Sequence, residues 1–121
     1  MSIKMLVTDL DGTLLRTDFS ISERTKKSLA DCRAKGIKVV YATGREATKS
    51  KALHEIANFW KIAQTEIVAF GDDINDIDLL AYAGMGVAMG NALNVVKADA
   101  NYVCGTSDDD GVVKWIEENV L

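Results

Sequence analysis

The sequence predicts an α/β protein: a doubly wound, five-stranded parallel sheet in a Rossmann-like three-layer sandwich, strand order 2-1-3-4-5. Three observations predict it. Short apolar runs alternate with stretches of helical periodicity along the chain. The strands read as continuous apolar runs, as in a parallel sheet covered on both faces. Right-handed crossovers then leave the doubly wound order as the simplest packing. The length of 121 residues suits one domain, taken as 1–121.

Residues 3–8 form the first strand. Ser20 and Glu23 read as a capping box that opens a helix with Thr25, Leu29 and Cys32 on one face and Gly36 as its stop. Residues 37–42 are the second strand, followed by a helix over 45–62 whose apolar stripe is Leu53, Ile56, Trp60 and Ala63. The third strand spans 66–70. The third helix spans 74–83, with Ile74, Ile77 and Leu80/Ala81 facing inward. A fourth strand covers 86–89, and Asn91 is read as the cap of a helix running to Lys97. A fifth strand over 101–104 and a helix over 111–120 close the pattern.

Composition bounds the function. Net charge is −4, and no basic stripe exists to neutralise nucleic-acid phosphates. An anionic substrate would need a local cation to offset this field. Cys32 and Cys104 lack metal-ligand spacing and read as small buried hydrophobes of a reduced, cytoplasmic protein. The start, "MSIKMLVTD", does not read as a signal peptide, and no apolar run approaches the ~20 residues of a membrane helix. His54 reads as a surface residue, and Trp60, Trp115 and the methionines as core.

In doubly wound sheets, ligands bind beyond the carboxyl ends of the strands where strand order reverses, here between strands one and three. "DLDGT" follows strand one and "GDDIND" follows strand three. Carboxylates converging on one crevice repel one another, and an all-oxygen set suits Mg²⁺, which also bridges to phosphate. Asp73 reads as a turn or cap residue, and Asn75 could be only that as well. Asp9, Asp11 and Asp72 carry the chemical reading. Asp9, ending a rigid strand, is the better-placed nucleophile, and Asp11, in the turn, the better acid/base. Gly12 allows close backbone approach, and turn N–H groups can hold phosphate oxygens. Thr43, in "YATGRE", could donate to a phosphoryl oxygen. Of the nearby cations, Lys49 extends the apolar stripe toward the sheet, with Arg45 as a substrate contact, while Lys51 falls on the wet face.

"DLDGTLL", "ATGR", a lysine ahead of an amphipathic helix, and "FGDDIND" together resemble the four motifs of the haloacid dehalogenase phosphohydrolases. "GVAMGNALNVVKADANYV" and "DDDGV" are similar to the Cof-type subfamily. The resemblance implies Asp9 as phosphoryl-accepting nucleophile and Asp11 as general acid/base. It implies Thr43 and Lys49 on the transferring group. It further implies Mg²⁺ held by Asp9, the Asp11 carbonyl and Asp72, with Asp76 at or just outside that shell and Asn75 ordering the loop. Leu10, Gly12, Thr43, Gly44, Arg45, Lys49 and Asn75 form the expected phosphate-binding set.

Cof-type relatives carry a cap domain between the arginine and lysine motifs. Here only residues 46–48 separate Arg45 from Lys49, so the chain reads as capless, with strand two left as a sheet edge. The expected function is Mg²⁺-dependent phosphomonoester hydrolysis through an aspartyl-phosphate on Asp9, acting on a phosphorylated small molecule or an exposed phosphate of a larger one. A homodimer through the sheet edge or over the open site is expected, with no nucleic-acid or membrane partner. The alternatives are a weak or inactive remnant serving as an interaction protein, and a receiver-like phosphoacceptor. Against the receiver, strands four and five are not followed by its threonine and lysine.

Overall fold

The computed structural model describes residues 2–42 and 49–121, with the side chain of Lys49 outside that description. Five parallel strands form one sheet: β1 (Met5–Thr8), β2 (Lys38–Tyr41), β3 (Ile67–Gly71), β4 (Met85–Ala88) and β5 (Tyr102–Val103), in the order β2-β1-β3-β4-β5. Met5 pairs with Lys38 on one side and Ile67 on the other, Val68 with Met85, and Val87 with Tyr102. The helices are α1 (Glu23–Ala34), α2 (Lys49–Phe59), α3 (Ile77–Tyr82), α4 (Asn94–Ala98) and α5 (Gly111–Asn119).

The two-residue period of a strand sorts the core into two layers. Met5 and Val7 of β1 and Ile67 and Ala69 of β3 point to the face covered by Leu53 and Ala57 of α2, Leu79 and Leu80 of α3, and Val96 of α4. Leu6, Val68 and Phe70 point to the other face, against Leu29 and Cys32 of α1 and Trp115 and Ile116 of α5. Phe70 meets Trp115 edge-on, with ring centroids 5.5 Å apart. Both faces are therefore buried, which is why β1 and β3 carry no polar alternation. The expected three-layer sandwich and strand order are observed.

Several local expectations differ. Ser22, not Ser20, caps α1 by accepting from Thr25 N–H, and Ser20 instead donates to Asp18. Competition between adjacent hydroxyls is decided by the Asx-type turn at Asp18. Gly36 does stop the helix, at φ 82°. In α2, Leu53 and Ala57 are buried, whereas Trp60 lies past the helix end and is half exposed, its ring under Lys38 Nζ at 5.1 Å. Ala63 is exposed as well. The third helix begins with a tight turn, Ile74–Asp76, so its phase shifts: Ile74 faces solvent, Ala81 is exposed, and Leu79 joins Leu80 inside. Asn91 caps no helix, since α4 starts three residues later behind Leu93. Thr25, Leu29, Cys32 and Trp115 are buried as expected. His54 is exposed, hydrogen-bonded to Tyr82 Oη at 3.0 Å. Cys104 is half-buried.

Candidate active site

The turn after β1 is built around Gly12. Asp11 has φ −66° and ψ 127°, and Gly12 has φ 74° and ψ 0°, the angles of a type II turn, whose third residue must take positive φ. A Cβ on Gly12 would press into the carboxylate of Asp72, the three nearest heavy atoms all belonging to that side chain. Glycine therefore serves both the turn and its close approach to the loop after β3. Thr13, buried beside it, donates from Oγ1 to Asp72 Oδ1 at 3.0 Å.

The loop after β3 is held from within. Asp73 caps the tight turn by accepting from Ile74 N–H at 2.7 Å, the plain structural role open to it. Asp76, fully buried, accepts from Asp72 N–H at 3.1 Å and Asp73 N–H at 3.2 Å through Oδ2. Gly71 leaves room for that carboxylate, since a Cβ there would lie 2.8 Å from Asp76 Cγ.

These two loops bring Asp9, Asp72 and Asp76 together, one oxygen of each within 4.8 Å of the others. Burial pushes the Asp72 carboxyl above the usual aspartate value. Hydrogen bonds with Thr13 and Asp9 oppose the rise, and the charges of Asp76 and Asp73 add to it. Asn75 Oδ1 in the same loop is buried without a hydrogen-bond partner among the described residues. An all-oxygen, anionic cluster fits a hard divalent cation.

Asp11 is exposed in the turn, outside the three-carboxylate cluster, and Leu10 is half-buried. Thr43, Gly44 and Arg45 lie outside the described residues, as does the side chain of Lys49, whose backbone opens α2. Two further residues, Thr13 and Asn91, bond to the two site loops, and neither is legible as a site residue in the sequence. Thr13 stands in "DLDGT", where hydroxyl and carboxylate meet only across 59 positions of sequence. Asn91, read as a cap, sends its side-chain amide to the carbonyl of Gly12. Its position just past strand four, on the same sheet edge as the acidic loops, is the signal that could have found it.

The fold and site define a doubly wound α/β protein with a carboxylate cluster where strand order reverses. The family model of the haloacid dehalogenase-like hydrolases matches residues 6–48 and 46–116, and the chain belongs to that family. A 5-amino-6-(5-phospho-D-ribitylamino)uracil phosphatase of Bacillus subtilis is 40% identical over 70 residues, 58% of this chain and 26% of that protein. A pyridoxal phosphate phosphatase of Escherichia coli is 40% identical over 74 residues, 61% of this chain and 27% of that protein. The chain thus spans little more than a quarter of the length of these relatives. Among solved structures, a haloacid dehalogenase-like hydrolase from Bacteroides thetaiotaomicron superposes with TM-score 0.91 at 18% identity, covering 97% of this chain and 99% of that one. One from B. subtilis gives 0.90 at 16% identity, covering 98% and 100%. At such identities the likeness speaks for the fold.

Proposed function

We propose that the protein is a Mg²⁺-dependent phosphomonoester hydrolase that works through an aspartyl-phosphate on Asp9. The observation that carries this reading is the convergence of Asp9, Asp72 and Asp76 from two separate strand ends, in a chain of this family. Asp9, Asp72 and Asp76, with the Asp11 carbonyl, would hold the cation, which supplies positive charge to the phosphoryl oxygens.

A carboxylate oxygen of Asp9 attacks phosphorus as the bond to the ester oxygen breaks. Asp11 gives its proton to that leaving oxygen. The Asp11 carboxylate then takes a proton from water, whose oxygen attacks phosphorus. The bond to Asp9 breaks, inorganic phosphate leaves, and both aspartates return to their starting states. Asp11 suits this task because it stands in the turn two residues from Asp9, outside the three-carboxylate cluster. Main-chain N–H groups of the turn, with Thr43, Gly44, Arg45 and Lys49, orient the phosphoryl oxygens. Thr13 keeps Asp72 turned toward Asp9.

The family match falls in two segments that meet at residues 46–48, which supports the reading that the cap is missing between Arg45 and Lys49. An open site excludes water poorly and orients substrate weakly, so turnover is slow and broad in substrate, on phosphorylated small molecules or exposed phosphates. β2 lies at the sheet edge, and a homodimer through it or over the open site is the assembly proposed. Turnover of an aryl phosphate with and without Mg²⁺, in wild type and Asp9→Asn, tests the function. Mg²⁺-dependent turnover that disappears in Asp9→Asn is expected. Equal, background rates in both would overturn it.

A further inference from the structure

The Asp72 carboxylate is held from two sides by the turn after β1. Thr13 donates from Oγ1 to Asp72 Oδ1 at 3.0 Å. The Gly12 backbone faces Oδ2, the atom that a Cβ on Gly12 would meet first. The Asp72 main chain is fixed as well, since its N–H donates to Asp76 Oδ2 at 3.1 Å. Thr13 is 1% exposed, so bulk water does not compete for its hydroxyl, and breaking the bond would leave a buried donor unpaired.

These contacts decide what an aspartate side chain leaves open. Its terminal torsion is broad and roughly two-fold, and a carboxylate free to turn can offer a cation one oxygen or both. Here one oxygen each of Asp9, Asp72 and Asp76 lie within 4.8 Å of one another. Turning the Asp72 carboxylate to present both of its oxygens would carry Oδ1 away from the Thr13 hydroxyl and Oδ2 from its seat against Gly12. The two common hard cations respond differently to that freedom. Mg²⁺ demands near-ideal octahedral geometry at about 2.0–2.1 Å, whereas Ca²⁺ accepts six to eight oxygens at about 2.3–2.6 Å, from carboxylates bound through one oxygen or both. A carboxylate locked in its plane suits the smaller, stricter ion, and one free to chelate suits the larger.

We infer that Thr13 is a selectivity-determining residue: its hydroxyl holds the Asp72 carboxylate so that the cluster favours Mg²⁺ over Ca²⁺. The inference rests on the reading of the cluster as a cation site and not on the phosphoryl chemistry. Thr13→Val keeps the branched shape and removes the donor. Thr13→Ala removes the donor without leaving a methyl pair to repack. Thr13→Ser keeps the donor.

The test is calorimetric titration of the whole chain with Mg²⁺ and, separately, with Ca²⁺, in wild type and the three variants, each checked for folding by its thermal melt. In Thr13→Val and Thr13→Ala the Mg²⁺ dissociation constant should rise about 10- to 100-fold, as for losses of other outer supporting groups, while that for Ca²⁺ changes less than about threefold. Thr13→Ser should keep the wild-type ratio of the two constants within about threefold. A general loosening of the fold would weaken both ions alike, so the ratio separates selectivity from stability. Equal losses for both ions in Thr13→Val and Thr13→Ala, unchanged Mg²⁺ affinity in them, or Thr13→Ser behaving as Thr13→Val does would overturn the inference. A wild type that binds neither ion would overturn the cation-site reading itself, and this inference with it.

Discussion

Replacing Gly12 by alanine probes two effects that the structure separates. The first is backbone: at φ 74° an L side chain costs about 1–2 kcal/mol. The second is the collision of the new Cβ with the Asp72 carboxylate, whose Cγ would lie 3.0 Å away. Forcing that side chain aside costs a further ~1–3 kcal/mol, as overpacking does elsewhere. Gly36 calibrates the first effect alone, since it has φ 82° and a Cβ there meets nothing within 4 Å. Urea unfolding should show Gly36→Ala losing about 1–2 kcal/mol and Gly12→Ala about 2–5 kcal/mol. Combining each with Asp72→Ala closes the argument. The Gly12 cycle should show coupling of ~1–3 kcal/mol, because truncating Asp72 removes what the new Cβ strikes, while the Gly36 pair should add within ~0.5 kcal/mol. Additivity in the Gly12 cycle would refute the contact between the two loops.

Other consequences follow from single groups. The hydrogen bond from Arg16 holds the Asp110 carboxyl below its ordinary value. A depressed carboxylate contributes stability that is present above its unfolded pKa and is lost as pH falls through the folded one. Melting temperature in Arg16→Ala should therefore drop relative to wild type near neutral pH, and the gap should narrow in acid below the ordinary aspartate range. A gap that widens in acid would contradict the pairing. Burial pushes the Cys104 thiol up to about 11, so alkylation of native protein at pH 8 should be slow and should quicken only near that value. Fast labelling of Cys104 at pH 8 would be inconsistent with its packing against Met89. Phe70→Ala should cost about 3–5 kcal/mol by calorimetry, since the ring is fully buried between β3 and Trp115. A loss below about 1 kcal/mol would contradict that packing.

The sheet order was legible because its causes are in the chain: alternating periodicities, continuous apolar runs and crossover handedness. The meeting of Asp9 and Asp72 followed from topology. What escaped was decided by competition between neighbours. Ser20 and Ser22 both offer a hydroxyl to α1, and the turn at Asp18 takes one of them. The tight turn at Ile74–Asp76 rotates α3 by its own geometry, which a uniform helical period does not anticipate. Thr13 and Asn91 depend on contacts across 59 and 79 positions, and no local pattern encodes these. Trp60 looked like core because the helical stripe was extended past Phe59, where α2 ends.

The central claim is that Asp9, Asp72 and Asp76 grip one divalent ion, and calorimetric titration with Mg²⁺ or Mn²⁺ tests it most directly. One ion per chain is predicted, with affinity at least about tenfold weaker in Asp72→Asn. Absence of binding in the wild type, or equal binding in Asp72→Asn, would contradict it.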